Sequence, residues 1–167
     1  VVCWGATSGL LGGDDAASRG VGVGGIGEAT AIACGARHAC AVLASGHVAC
    51  FGGNEAGQLG RQAAQGPLPA GPVSGVDGVS AVCAGHDYTC SHLRNGLVAC
   101  WGDWGGGPSE KVALHRVFSA TEVACGGAVA VAPTKEHSVY AWGADAEHLL
   151  PGSRERMSVP SPLFLRK

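Results

Sequence analysis

The sequence predicts an all-β chain, a partial β-propeller, on three observations. A short string of small apolar residues, an aromatic ring and a glycine recurs four times: VVCWG from Val1, HVACFG from His47, LVACWG from Leu97 and SVYAWG from Ser138. Regular recurrence marks a repeat architecture whose units bury their apolar faces on one another. Paired extended runs flank Ser45–Gly46 and Asn95–Gly96, positions suited to tight hairpins, while no segment carries a long apolar face at helical spacing.

Each element of the unit follows from its residues. ATAIAC and VSAVCA are short, small, partly β-branched and bounded by glycines, which predicts a first strand. CAVLASGHVACF and TCSHLRNGLVACW each read as two strands folded about a turn. With a further strand after the variable loop, the unit is four short strands in roughly 40 to 50 residues, the signature of a propeller blade. VGGIGEATAIACG (Val23–Gly35) aligns without a gap to VSGVDGVSAVCAG (Val73–Gly85), and LHRVFSATEVACG (Leu114–Gly126) fits the same frame. The period is 50 residues from Gly35 to Gly85 and 41 from Gly85 to Gly126, the shortfall lying after Trp101. The approximate repeats are 3–50, 50–100, 100–141 and a partial one at 141–167, within a single domain 1–167.

The string CWG, the loop GQLG, a later V-x-G-V, then T-C, L-x-x-G-x-V-x-C-W-G resembles the repeats named for the regulator of chromosome condensation, with CFGGNEAGQLG (Cys50–Gly60) its best local match. The third copy departs by losing the GQLG loop, and the fourth by its altered stretch GADAEHLLPG (Gly143–Gly152). The resemblance implies a closed propeller, typically of seven blades. The chain is then about three four-stranded blades plus flanking strand fragments. An open arc leaves blade faces and strand edges bare, so the ring is expected to be completed by missing sequence or by a second copy. The opening at Val1 without methionine reads as a mature product or a piece of a longer protein.

Eight cysteines stand at 3, 34, 40, 50, 83, 90, 100 and 125. Cys40 with Cys50, and Cys90 with Cys100, sit ten residues apart across a hairpin. Opposed residues in an antiparallel ladder have Cα atoms roughly 4.5 to 5.5 Å apart, within the range a disulfide accepts. The third copy has lost both members together, with Val131 and Ala141 in their places. A bond in each hairpin is the expectation, against the alternative of buried thiols packing as small apolar side chains. Cys3 corresponds to Cys50, so its partner belongs about ten residues upstream by the same hairpin geometry. Cys34 and Cys125 share one inner-strand position and Cys83 is one step out of frame with them. No bond is expected for these three.

Composition excludes several classes. With 14% charged residues, a net charge of −2 and three lysines, there is no basic field to attract nucleic acid or an anionic membrane. No apolar run approaches the ~20 residues of a membrane helix, and no basic segment followed by an apolar core suggests a signal peptide. GVGGIG (Gly22–Gly27) has dinucleotide-loop spacing, but only EAT separates it from the next strand, where such a loop needs a helix N-terminus. Cysteines and histidines lack metal-site spacing. GATSG (Gly5–Gly9) is not a nucleophile elbow, His86–Asp87 reads as a surface pair, and His38 as a ring packed on its hairpin. No catalytic, cofactor or metal residue is nominated.

What remains is a protein-binding surface on the loops, which rigid strands hold in place. Asp103 and Trp104 are candidate contacts because Trp104 lies outside the repeat pattern and indoles anchor interfaces. The competing role for Trp104 is to cover the gap left by the shortened third loop. The leading reading is a non-enzymatic interaction module, extracellular, cell-surface or periplasmic, since paired cysteines suit an oxidising compartment. The resemblance implies two alternatives: an intracellular guanine-nucleotide exchange or chromatin-associated regulator of a small GTPase, and an inhibitor resembling β-lactamase inhibitory proteins.

Overall fold

The computed structural model describes residues 1–5, 10, 17–115, 117, 119–144 and 157–163, with the backbone alone at 17–19 and 157–163. GATSG beyond Gly5 and most of GADAEHLLPG lie outside that set. Every element within it is a strand. β1 (Val2–Gly5) and β2 (Ala17–Gly22) form a two-stranded ladder. β3 (Ala29–Cys34), β4 (His38–Leu43), β5 (Val48–Asn54) and β6 (Ala64–Pro72) form the first complete sheet. β7 (Val79–Ala84), β8 (Asp87–Leu93), β9 (Val98–Asp103) and β10 (Ala113–His115) form the second. β11 (Ala124–Gly126), β12 (Val129–Pro133), β13 (Val139–Gly143) and β14 (Met157–Leu163) form the third. Each sheet is an antiparallel meander paired in chain order, the construction of a propeller blade. The described residues therefore form a partial propeller of one two-stranded ladder and three four-stranded blades. Residues of the fourth, partial repeat supply the outer strands of the third blade.

The recurring aromatic–glycine string has a backbone reason. Gly52, Gly102 and Gly143 have φ of 105°, 94° and 118°. A Cβ on Gly102 would lie 2.5 Å from the Asp87 carbonyl oxygen and 2.7 Å from the Tyr88 Cα. The position demands both a left-handed backbone and the absence of a side chain, which only glycine supplies. At Gly52 and Gly143 it coincides with a break in register toward the outer strand, a bulge that turns the chain out of the inner ladder.

The core lies between blades. One cluster joins Cys40, Val42, Val48 and Cys50 of the first blade to Val79, Ala99 and Trp101 of the second, with Leu59 and Val73 from the connecting segments. The other joins Tyr88, Cys90, Val98 and Cys100 to Ala130, Ala132 and Trp142 of the third. Because successive strand residues face opposite sides of a sheet, each blade shows one set of side chains to its predecessor and the alternate set to its successor.

Candidate interaction surface

The up-and-down course of the strands sorts the connections onto two faces. One carries the turns after β3, β7 and β11 and the loops after β5 and β9; the other carries the turns near 44–47, 73–78, 94–97 and 134–138. The core strings repeat between blades, whereas the loops after β5 and β9 differ in length and composition. The variable face therefore stands on an invariant frame.

The loop after β5 shows how that face is held. Leu59 N–H donates to Asn54 Oδ1 at 2.9 Å, and Asn54 Nδ2 donates to the Gln62 carbonyl at 2.7 Å, closing the loop on itself. The Gln58 carbonyl accepts two hydrogen bonds from the next blade, from the Trp101 indole and the Thr89 hydroxyl, each 2.9 Å. Thr89, having donated its proton, accepts from His38 Nε2 at 2.8 Å, which leaves His38 Nδ1 unprotonated and without a partner. Burial holds His38 down to about 4, against weaker opposing effects of Asp87 and the Tyr88 backbone. His38 is thus a fully buried blade-to-blade tie. Tyr88 stands at the matching position of the second blade and donates its hydroxyl to the Val129 carbonyl of the third. Burial raises that phenol well above its ordinary range.

The shorter loop after β9 is built differently. Asp103 Oδ1 accepts from the Gly105 and Gly107 amides at 2.8 and 3.1 Å, so the carboxylate folds its own loop. Trp104 is half-buried against the second cluster and stands edge-on to His115, centroids 5.7 Å apart. His115 in turn stacks at 5.4 Å on Trp142. This is the placement that a gap-covering Trp104 requires. His115 is buried, pushed down to about 4 by desolvation, and among the described residues neither its Nε2 nor Trp142 Nε1 has a hydrogen-bond partner. Between the two loops lies a cleft of about 250 Å³ lined by Ala56, Ala63, Pro108, Ser109, Glu110 and Lys111. Glu110 reaches across it, its Oε2 accepting from the Ala63 amide at 3.2 Å.

The cysteines carry one correction. Cys40 and Cys50 are directly opposed in register and bonded, as are Cys90 and Cys100, with Cα atoms 4.1 Å apart in both pairs. Cys83 and Cys125, for which no bond was expected, are bonded to one another, with Cα atoms 5.4 Å apart. The bond follows from the alternation of side chains along a strand. A side chain that meets the following blade and one that meets the preceding blade must lie on opposite faces of equivalent strands. The single step that separates Cys83 from the frame of Cys125 is what a bond between neighbouring blades needs. Cys3 and Cys34 are free thiols.

Other motifs take structural places. Gly22–Gly27 runs from the end of β2 through a turn and leads into a strand. His86 and Asp87 form an exposed pair at 3.4 Å. Neither buried imidazole hydrogen-bonds a carboxylate, and no three His, Cys, Asp or Glu gather as a metal set among the described residues. No helix among them is long and apolar enough to cross a membrane.

Residues 29–58 match the family model described as the regulator of chromosome condensation (RCC1) repeat. No curated protein matches the chain in sequence. Among solved structures the chain superposes on yeast RCC1 (Prp20), crystallised bound to Kap60, with a TM-score of 0.82 at 16% identity, covering 98% of this chain and 44% of that one. Human WBSCR16 gives 0.75 at 19% identity, covering 89% and 41%. The ectodomain of the Physcomitrella patens receptor kinase CR4 gives 0.56 at 22%, covering 85% and 33%. At these identities the likeness is one of fold, and this chain spans less than half the length of each.

Proposed function

We propose that this chain, which carries an RCC1-type repeat at residues 29–58 within a run of propeller blades, is the frame of a non-enzymatic protein-binding surface. The observation that carries the reading is the contrast between blade cores that repeat and loops on one face that do not, with the two loops anchored through Asn54, Gln58 and Asp103. Such a face presents a fixed, blade-specific pattern to a partner. Prp20 bound to Kap60 is a fold relative whose partner is a protein, and in that sense the likeness supports the reading. The surface proposed is the loop face around Pro108–Lys111 and Arg37; Asp103 and Trp104 serve it by supporting the loop. Three disulfides favour an oxidising compartment, outside the cytoplasm.

Capture of binding proteins on the immobilised chain, compared across variants, tests this. Arg37→Glu with Lys111→Glu is expected to weaken retention of the principal captured protein by about tenfold or more, the scale of a lost interface anchor. Arg94→Glu, on the opposite face, is expected to leave retention unchanged. Equal retention by both variants would overturn the choice of face. Nucleotide release from small GTPases catalysed by the chain would overturn the non-exchange reading.

A further inference from the structure

The face opposite the variable loops carries one arrangement that the blade frame does not need. Where the β4–β5 hairpin turns at Ser45–Gly46, it hooks onto the second blade, the Gly46 carbonyl accepting from the Val79 amide at 2.9 Å. His47 is fixed through its own carbonyl, which accepts from the Leu43 amide at 2.9 Å. Asp77 is fixed by its neighbours, because Val76 is buried in the first cluster and the Gly78 carbonyl accepts from the Arg94 amide at 2.9 Å. The backbone thus holds three side chains together across the junction. His47 Nδ1 lies 3.0 Å from Ser45 Oγ, and His47 Nε2 lies 3.2 Å from Asp77 Oδ1.

Donors and acceptors assign the roles. A carboxylate only accepts, so Asp77 favours the imidazole tautomer with its proton on Nε2. Nδ1 then carries the lone pair and faces the Ser45 hydroxyl. A hydroxyl held against a base that a third group orients is the arrangement that activates serine toward an acyl carbon. The frame does not require it. Asn95 and Leu97 stand at the places of Ser45 and His47 in the second hairpin, Glu136 and Ser138 in the third, and Asp77 aligns with Gly27 and Phe118. Ser80 is the contrasting case. Its Oγ lies 2.8 Å from His92 Nδ1, but His92 Nε2 donates to the neutral Ala120 carbonyl at 2.8 Å. The Ser80 hydroxyl also reaches the His92 carbonyl at 3.1 Å, the bond that Thr30 and Thr121 make to the Val42 and Pro133 carbonyls in the other blades.

We propose that Ser45 is an acyl-acceptor site for activated esters and thioesters, with His47 as its general base and Asp77 orienting that base. Ser45 Oγ bonds to the acyl carbon as its proton passes to His47 Nδ1. The bond from the acyl carbon to the leaving group then breaks, its electron pair staying on the leaving oxygen or sulfur, which takes the proton back from His47. The chain gains one ester and the donor departs as an alcohol or thiol. Ser45 is exposed, as are the His47 and Asp77 side chains at 59% and 81%, so a donor reaches the hydroxyl without any opening of the fold and solvent carries the charge that builds on the acyl oxygen. The serine is consumed once, which adds a covalent modification to a non-enzymatic frame. The site lies opposite the proposed partner surface, and the two readings stand or fall separately.

A time course with p-nitrophenyl acetate, quenched and read by peptide mass, tests this on the folded chain. Ser45 is expected to acetylate ahead of Ser80 and of every other serine. His47→Gln is expected to slow acetylation of Ser45 by about a hundredfold, the lower end of general-base effects, while the rate at Ser80 is unchanged. Asp77→Asn is expected to slow Ser45 by about fivefold at low salt, the scale of an exposed ion pair, and added salt is expected to narrow that difference. A further arm needs no variant: in the parent unfolded by urea the three segments part, and Ser45 is expected to acetylate no faster than other serines. The proposal is overturned if Ser45 in the folded parent reacts no faster than Ser80, if its rate survives in His47→Gln, or if unfolding leaves its lead over the other serines intact.

Discussion

The junction between the first and second blades and the junction between the second and third bury equivalent faces by different means. At the former, the GQLG loop sets the Gln58 carbonyl where Trp101 and Thr89 both donate to it, and no covalent bond crosses. At the latter the loop is shorter and that carbonyl is gone, so the equivalent indole, Trp142, is buried with an unpartnered N–H beside the unpartnered Nε2 of His115. Trp104 fills the space edge-on, and the Cys83–Cys125 bond and the Tyr88 hydroxyl tie the blades. A buried donor without a partner costs about 1–3 kcal/mol. Apolar packing can replace the volume of a lost loop; it cannot replace its acceptor, and a covalent link offsets the deficit.

The largest expected effect removes that link. Cys83→Ser with Cys125→Ser opens a closure of 42 residues, for which the chain-entropy model gives a loss of about 4 kcal/mol. Denaturant titration should show this loss as a lower midpoint at nearly unchanged slope. A change within about 0.5 kcal/mol would mean the second junction is held by packing alone.

Acid comes next and acts on both junctions. His38 and His115 are held at about 4 by burial, against an ordinary value of 6.5. The unfolded chain therefore binds more protons between those values, and stability is full above pH 6.5 and falls as pH drops toward 4. Each ring accounts for at most about 3 kcal/mol of that fall. His115→Phe is expected to remove the share of the second junction and leave that of the first, read from unfolding free energies at pH 7 and pH 4.5. If the variant loses as much on acidification as the parent, His115 is not the group that titrates.

Trp104→Ala sharpens the comparison further. Its ring is half-buried against the second cluster, so truncation is expected to cost about 2 kcal/mol, below the range for fully buried aromatics, while partner retention on the loop face is unchanged. Loss of retention at an unchanged midpoint would make Trp104 a contact after all.

Much of this was legible in the residues because local rules decide it. The hairpin dipeptides, the glycine-bounded inner strands and the ten-residue cysteine spacing each concern neighbours within one sheet, and the ladder pairs Cys40 with Cys50 and Cys90 with Cys100 as that spacing implies. What escaped were relations between sheets. Cys83 and Cys125 share no ladder, and their bond depends on which face of each inner strand meets the neighbouring blade. The parity of Cys83 against Cys125 held that information, but it is readable only once blades are known to stack face to face. The His38–Thr89 tie was hidden for the same reason, since the two residues lie in different blades and Tyr88 answers His38 with a different chemistry.

The smallest effect separates the junctions most cleanly, because one substitution should carry opposite signs. Trp→Phe deletes the indole N–H and leaves most of the apolar ring. At Trp101 it removes a 2.9 Å hydrogen bond and leaves the Gln58 carbonyl with Thr89 alone, which costs about 1 kcal/mol for the bond plus a smaller packing term. At Trp142 it removes a buried donor that has no acceptor, so the desolvation penalty vanishes with the group and offsets the lost ring volume. Trp101→Phe is expected to lower the unfolding midpoint, and Trp142→Phe to leave it unchanged or raise it. Equal losses at the two sites would mean that Trp142 finds an acceptor in solution and that the short loop supplies what the long one does.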